Sequence, residues 1–265
     1  MEIGEKLLLL MSRSPEAADY PIGQAERTVD NALNLLEEIF PDFDGMVRGK
    51  KIVDFGCGSG HHAVALAERG AQFVLGVDTN LNVLEDARRL AKTHGVEDRV
   101  SFTSSFRRED RKGFDVVLSI NSMEHFARPE AVMDEMKALL GENGRILIKF
   151  EPPWFAPYGS HTYYFTKVPW VNIFFREKTV MAVRSRYRSD GATHYRDIEG
   201  GLNKMTVSRF ERIAANCGMR MVFREYRSVM GLDIMGKLPL LRELFVNRIS
   251  CVFSLESRSS VSVCV

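Results

Sequence analysis

Three glycines spaced two apart, Gly56, Gly58 and Gly60, follow a carboxylate at Asp54, and a second carboxylate, Asp78, ends the next apolar run. Glycine lets backbone approach a ligand closely and adopt conformations closed to other residues. An acid at the tip of a neighbouring strand is placed to accept hydrogen bonds from the two hydroxyls of a ribose. The chemistry these residues predict is the holding of a nucleoside cofactor. Further along, His125 and His161 are side chains able to take a proton from an acceptor hydroxyl, and Glu151 is placed to orient either of them.

The elements that must position these groups read directly from the pattern. Lys51-Ile-Val-Asp-Phe55 is a strand running into the glycines. His61 to Arg69 reads as a helix with Ala63, Leu66 and Ala67 on one face, and Gln72 to Val77 is the next strand. A helix N-terminus behind a glycine turn suits an anionic or strongly polar ligand. The dinucleotide fingerprint G-x-G-x-x-G is not met, because position 61 is His.

The pattern Asp54-x-Gly56-x-Gly58-x-Gly60 instead resembles motif I of the class I S-adenosylmethionine-dependent methyltransferases, with Asp78 where that family's ribose-binding acid lies. The resemblance covers residues 45 to 150 and extends more weakly through the final strands. Asn121-Ser-Met-Glu-His125 and the Gly144 turn are most similar to the bacterial small-molecule methyltransferases of the type 11 group. It implies S-adenosylmethionine as cofactor, S-adenosylhomocysteine as product and no metal. It also implies a glycine loop, with Cys57 in it, around the methionine end, Asp54 orienting that loop or its bound water, and Asp78 with Thr79 at the ribose. The family commonly carries an acid for the adenine amino group after its third strand. Here Ser105 stands in its place, Phe106 flanks the ring, and Asn121 ends the fourth strand beside the cofactor.

Taken in order, residues 1 to 24 are weakly patterned, with Pro15 and Pro21 interrupting any long helix. Gln24 to Phe40 carries apolar residues at helical spacing. Asn80 caps a helix to about Lys92, Arg99 to Thr103 is a third strand, and Phe114 to Ser119 a fourth with the continuous apolar centre of a strand covered on both faces. Pro129 starts a helix, Gly141 to Gly144 is a turn, and Arg145 to Phe150 is the fifth strand. Strands alternating with helices predict a doubly wound, mostly parallel Rossmann-like sheet, which the resemblance extends to seven strands with an antiparallel last strand. Residues 151 to 205 break the rhythm with prolines and aromatics, and read as a substrate-covering insertion after the fifth strand. A helix from Thr206, strands at Met219 to Tyr226 and Ser250 to Leu255, and a helix near Leu238 to Val246 complete the sheet; 257 to 265 reads as a loose tail. The divisions expected are 1–44, 45–150, 151–205 and 206–265.

The totals narrow the setting. A chain of 265 residues, 45% apolar and 27% charged, has the composition of an ordinary globular protein, and a formal net charge of +1 gives no bulk attraction to nucleic acid or an anionic membrane. Cys57, Cys217, Cys251 and Cys264 show no C-x-x-C pair or metal-ligand spacing, so reduced thiols in a cytoplasmic protein are expected, with no apolar run of membrane-spanning length. Oligomeric state is open, with a homodimer among the alternatives.

Methyl transfer from a sulfonium needs alignment and exclusion of water more than activation. A hydroxyl acceptor benefits from a base, with His161 and His125 the candidates, whereas a carboxylate acceptor needs none. Trp154, Tyr158 and Tyr163 are candidates to line an apolar acceptor pocket, and a small core under the insertion accounts for the same aromatics. Arg176, Lys178, Arg184, Arg186 and Arg188 read as a solvated basic face, with an acidic substrate group as the sharper reading. Glu151-Pro-Pro-Trp154 is similar to the Asn/Asp-Pro-Pro-aromatic motif of enzymes methylating nucleic-acid or protein nitrogens, but it follows the fifth strand rather than the fourth. The expected function is O-methylation of a small molecule. The alternatives are a non-catalytic S-adenosylmethionine-binding protein and a nicotinamide-dependent oxidoreductase.

Overall fold

The computed structural model describes residues 2–14, 28–106, 113–198, 200–239 and 241–255. Seven strands form one sheet in the order β3-β2-β1-β4-β5-β7-β6. They are β1 (Lys51–Phe55), β2 (Phe73–Val77), β3 (Val100–Thr103), β4 (Phe114–Ile120), β5 (Leu140–Phe150), β6 (Arg220–Ser228) and β7 (Val246–Ser254). The first five are parallel, and β7 lies antiparallel between β5 and β6. The expected mostly parallel sheet with an antiparallel last strand is the one observed.

Each crossover helix buries the stripe its sequence carries. Among the described residues the helices are α1 (Ile3–Leu10), α2 (Val29–Ile39), α3 (Phe43–Val47), α4 (His61–Glu68), α5 (Leu81–Thr93), α6 (Pro129–Leu139), α7 (Val171–Phe174), α8 (Glu177–Arg184), α9 (Val207–Asn216), α10 (Asp233–Lys237) and α11 (Arg242–Phe245). Asn80 caps α5 by accepting from the Asn82 N–H at 3.1 Å, and the Thr28 and Thr206 hydroxyls do the same for α2 and α9. One face of the sheet is covered by α2 to α5, with Leu36, Ile52, Val64, Leu84 and Leu118 in a shared core. The other is covered by α6 and α9, with Val53, Val117, Met136, Ile148 and Phe210. Two-sided burial is why β1 and β4 read as unbroken apolar runs.

Several boundaries differ from expectation. The glycine-rich stretch 141–144 continues β5 through a register shift between Phe114 and Val116, because Gly144 folds tightly back on Leu140, where an added Cβ would meet Leu140 Cβ at 2.7 Å. Of the helix expected near Leu238 to Val246 only the short α11 forms, with α10 lying just before that span, and β7 begins at Val246, four residues before the expected strand. Residues 249–254 are paired on both sides and 246–248 lie along β6, and this pairing overrides the local helical pattern. Residues 24–27 of the expected first long helix, Pro15, Pro21 and the tail 257–265 lie outside the described residues.

Residues 151–205 have a core of their own. Phe165, Val171, Val180, Met181, Val183, Tyr187, Tyr195 and Leu202 pack together, and Leu8 of α1 is buried among them. The N-terminal stretch is tied on by backbone as well: Arg13 N–H donates to Phe165 O at 2.8 Å, and Ser12 bridges to Thr166. No described helix is long and apolar enough to cross a membrane.

Candidate functional site

The carboxyl ends of β1 to β5 lie along one edge of the sheet, and every candidate cofactor residue lies there or in the loops just beyond. Register places Asp54 beside Gly76 and Phe55 beside Val77, so the loop after β1 turns over the end of β2. Gly56 and Cys57 donate their N–H groups to Val77 O at 2.8 and 3.0 Å. Gly56 has φ +83°, and a Cβ there would collide with Ser122 Oγ and stand 2.8 Å from Ser122 Cβ. Gly60, at φ +81°, would meet Ala87 Cβ at 2.8 Å. Gly58, also at positive φ, has nothing within 4 Å of where its Cβ would be. Two glycines therefore allow close packing, while the third faces open space.

Asp78 fixes that loop. Its Oδ2 accepts the Gly58 N–H and its Oδ1 the Asn80 N–H, each at 2.9 Å. Each carboxylate oxygen retains a second lone pair able to accept a ribose hydroxyl. Asp54 is buried, and its Oδ2 has no partner among the described residues. Burial, with the Asp78 charge adding to it, pushes the Asp54 carboxyl up to about 7. Burial also pushes the Cys57 thiol far up, and Asp54 and Asp78 reinforce the shift, so this cysteine is an uncharged packing group and a poor nucleophile. An orphaned buried carboxyl beside a glycine loop with open space fits a cofactor bearing a cationic amino group and a sulfonium.

The loop after β3 carries the two residues expected at the adenine. Phe106 stacks on Phe55 with centroids 5.5 Å apart, and Phe126 meets Phe55 edge-on at 5.7 Å. Ser105 is exposed, its N–H on Thr103 Oγ1 at 3.3 Å, and Thr79 is exposed at the tip of β2.

The segment after β4 carries the acid–base groups. Asn121 adopts φ +51° and is gripped by Lys149 at both ends. Its N–H donates to Lys149 O at 2.7 Å, and its Oδ1 accepts from Lys149 Nζ at 2.9 Å. Lys149 is fully buried and also pairs with Glu151. Burial lowers its pKa while Glu151 opposes the shift. Glu124 is buried, and neither carboxyl oxygen meets a partner outside its own residue among the described residues; burial pushes it up to about 8. His125 Nδ1 lies 2.6 Å from Gly201 O, and its ring meets His161 edge to face with centroids 5.4 Å apart. Burial lowers both imidazoles, and His161, whose Nε2 has no partner among the described residues, falls to about 4.

The structure thus brings His125 and His161 together, whereas Glu151 is committed to Lys149. Trp154 packs edge-on against Tyr195 at 4.8 Å, and Tyr158 against Tyr163 at 4.9 Å. Phe165 and Tyr195 belong to the core of the insertion, and Tyr163 stays exposed. The basic stretch is not a uniformly solvated face: Arg184 is buried in a bidentate pair with Asp190, both bonds 2.6 Å, because a buried guanidinium needs a counter-charge. Lys178 pairs with Glu2 at 3.0 Å. Sequence reasoning passed over Lys149, Gly200, Gly201 and Asn203. A lysine inside the apolar run Ile146-Leu-Ile-Lys-Phe150 and a glycine doublet were the visible signals. A cavity of 340 Å³ between α6 and α9, lined by Met133, Arg209 and Ile213 among others, shares no residue with this site. No group suited to hold a metal ion occurs among the described residues.

Residues 47–151, a span that takes in β1 to β5, match the family model Methyltransf_31, described as a methyltransferase domain. Residues 47–151 are thus a methyltransferase domain. The methyltransferase GfsG of Streptomyces halstedii is 34% identical over 117 residues, 43% of this chain and 42% of that protein. A ubiquinone biosynthesis O-methyltransferase of Neisseria meningitidis serogroup C is 32% identical over 117 residues, 43% of this chain and 49% of that protein. A tRNA U34 carboxymethyltransferase of Hahella chejuensis is 33% identical over 110 residues, 39% of this chain and 32% of that protein. The chain thus spans less than half the length of these relatives, and the likeness lies in the methyltransferase domain. Among solved structures, an S-adenosylmethionine-dependent methyltransferase of Mesorhizobium loti shares the fold (TM-score 0.54, 17% identity, 85% of this chain and 99% of that one). So does magnesium protoporphyrin IX methyltransferase of Synechocystis PCC 6803, solved with bound S-adenosylhomocysteine (TM-score 0.52, 16% identity, 87% of this chain and 83% of that one).

Proposed function

We propose that the chain catalyses methyl transfer from S-adenosylmethionine to a hydroxyl oxygen of a small molecule, with His125 as general base. The observation that carries this reading is the bond between His125 Nδ1 and Gly201 O. A carbonyl only accepts, so Nδ1 holds the proton and Nε2 keeps its lone pair. Burial holds the ring neutral at physiological pH, the form a base must have. His161 is the weaker candidate: burial and the adjacent His125 depress its basicity further, and it serves as a wall against the His125 ring.

The cofactor supplies an activated methyl group on a positively charged sulfur. Gly56, Cys57, Gly58 and Gly60 would shape the loop around its methionine end, Asp78 would accept from the ribose hydroxyls with Thr79 beside it, and Asp54 would orient the loop or a water bound there. Phe106 and Ser105 would hold the adenine side, Asn121 would lie beside the cofactor, and Trp154, Tyr158 and Tyr163 would supply apolar walls for the acceptor. As the acceptor oxygen takes the methyl, its proton passes to His125 Nε2, and the Gly201 carbonyl stabilises the resulting imidazolium. The near-neutral net charge and the O-methyltransferase relative support a small acceptor over a nucleic acid.

The test is transfer of labelled methyl from S-adenosylmethionine to separate pools of phenols and alcohols, carboxylic acids, and amines. The expected result is turnover in the hydroxyl pool that falls at least about 10²-fold in His125→Gln. Turnover confined to carboxylic acids and indifferent to that change would remove the base from the reading. Binding of S-adenosylhomocysteine with no transfer to any pool would favour a non-catalytic binding protein.

A further inference from the structure

The insertion returns to the sheet through Gly200, Gly201, Leu202 and Asn203, and this return is bonded to the segment that carries His125. Asn203 donates its backbone N–H to Glu124 O at 2.9 Å. Its side-chain Nδ2 donates to Met123 O at 2.7 Å and to Phe126 O at 2.8 Å. Its own carbonyl accepts from Arg209 Nη1 at 2.9 Å, which anchors it to α9. One residue thus holds the backbone on both sides of His125.

The two glycines complete the arrangement. Gly200 and Gly201 have φ +76° and +64°, the left-handed region closed to most side chains. A Cβ on Gly200 would stand 3.3 Å from His125 Nδ1, and one on Gly201 3.2 Å from Arg196 O. The chain can therefore swing the Gly201 carbonyl onto Nδ1 only with glycine at these positions. In water a neutral imidazole prefers the proton on Nε2, so the opposite tautomer must be imposed by a fixed acceptor at Nδ1.

We propose that Asn203 is a positioning residue for methyl transfer: by tying the insertion's return to Met123, Glu124 and Phe126, it keeps the Gly201 carbonyl on His125 Nδ1 and leaves Nε2 free to take the acceptor's proton. The inference rests on the reading of His125 as base. It makes the return of the insertion part of the catalytic centre, so the protonation pattern of the base depends on how the insertion is seated.

The test is long-range nitrogen–proton NMR on the full chain with labelled histidine, the His125 signals assigned by their loss in His125→Gln. The expected wild-type pattern at neutral pH is a neutral ring with its proton on Nδ1. Asn203→Ala shifts the ring towards the Nε2–H form, while the His94 signals and the affinity for S-adenosylhomocysteine stay as in wild type. Where that variant fails to fold, Asn203→Asp removes both side-chain donors while keeping the shape and the backbone N–H. A wild-type ring protonated on Nε2 overturns the proposal whatever the variants do, and so does an Nδ1–H ring retained in a folded Asn203 variant. Failure of the base reading is seen separately, as His125→Gln retaining full turnover with the Nδ1–H tautomer intact.

Discussion

Asp78 holds the backbone N–H of Gly58 and that of Asn80 with its two carboxylate oxygens, so one side chain links the glycine loop after β1 to the start of α5. On the proposed reading, the group that would recognise the ribose is thus also the clasp of the glycine loop. Asp78→Ala removes both roles. The expected loss of S-adenosylhomocysteine affinity is ten- to a hundredfold, from charge-assisted bonds of about 1.5–3 kcal/mol. Isothermal titration reads it directly, and unchanged affinity would place the ribose elsewhere.

Gly56 and Gly58 separate packing from ligand space. Gly56→Ala forces a methyl into Ser122 at an unfavourable φ, and folding stability is expected to drop by about 2–4 kcal/mol in urea titrations. Gly58→Ala meets nothing in the protein, so its stability cost is the backbone strain alone, about 1–2 kcal/mol. Its cofactor affinity is the property expected to suffer. Equal stability losses in the two variants would contradict the crowding of Ser122 against Gly56.

Two buried carboxyls set a pH signature. Asp54 and Glu124 are raised to about 7 and about 8 from the ordinary carboxyl values of 3.8 and 4.5. The folded chain therefore binds more protons at these sites than the unfolded chain does, and stability from them is fully present below about pH 4 and lost as pH rises through 7 and 8. Between pH 6 and 8 the ligand-free protein is expected to lose on the order of 4 kcal/mol from these groups. Thermal unfolding across that range reads the slope, which Asp54→Asn and Glu124→Gln together should flatten.

Leu8 belongs to the core of a segment more than 150 residues away in sequence. Leu8→Ala is expected to cost about 2–5 kcal/mol locally. Hydrogen exchange should quicken in peptides from 165 to 187 while β1, β2 and β4 keep their protection. Uniform acceleration across the sheet would mean that the insertion and the sheet unfold as one unit.

The sheet and the cofactor loop were legible because their signals are local. β1, the three glycines and Asp78 lie within 28 residues, and strands buried on both faces write themselves as apolar runs. His125 was legible as a candidate from its place after β4. What fixes its tautomer was not, because the bond to Gly201 spans 76 residues and depends on two glycine conformations that sequence does not display. Lys149 was hidden because it reads as one more residue of the fifth strand, and its partners, Asn121 and Glu151, come from two different loops. α1 has only eight residues, and its single buried leucine finds its partners in the insertion.

The position of β7 orders events during synthesis. It is the last made of the described strands, yet it sits between β5 and β6 and bonds to both. While the ribosome still holds residues 246 to 254, β6 has no neighbour to pair with and β5 presents an open edge. An emerging chain carries its cofactor-side strands complete and its far side unzipped, and the sheet closes only when residues 246 to 254 have left the ribosome.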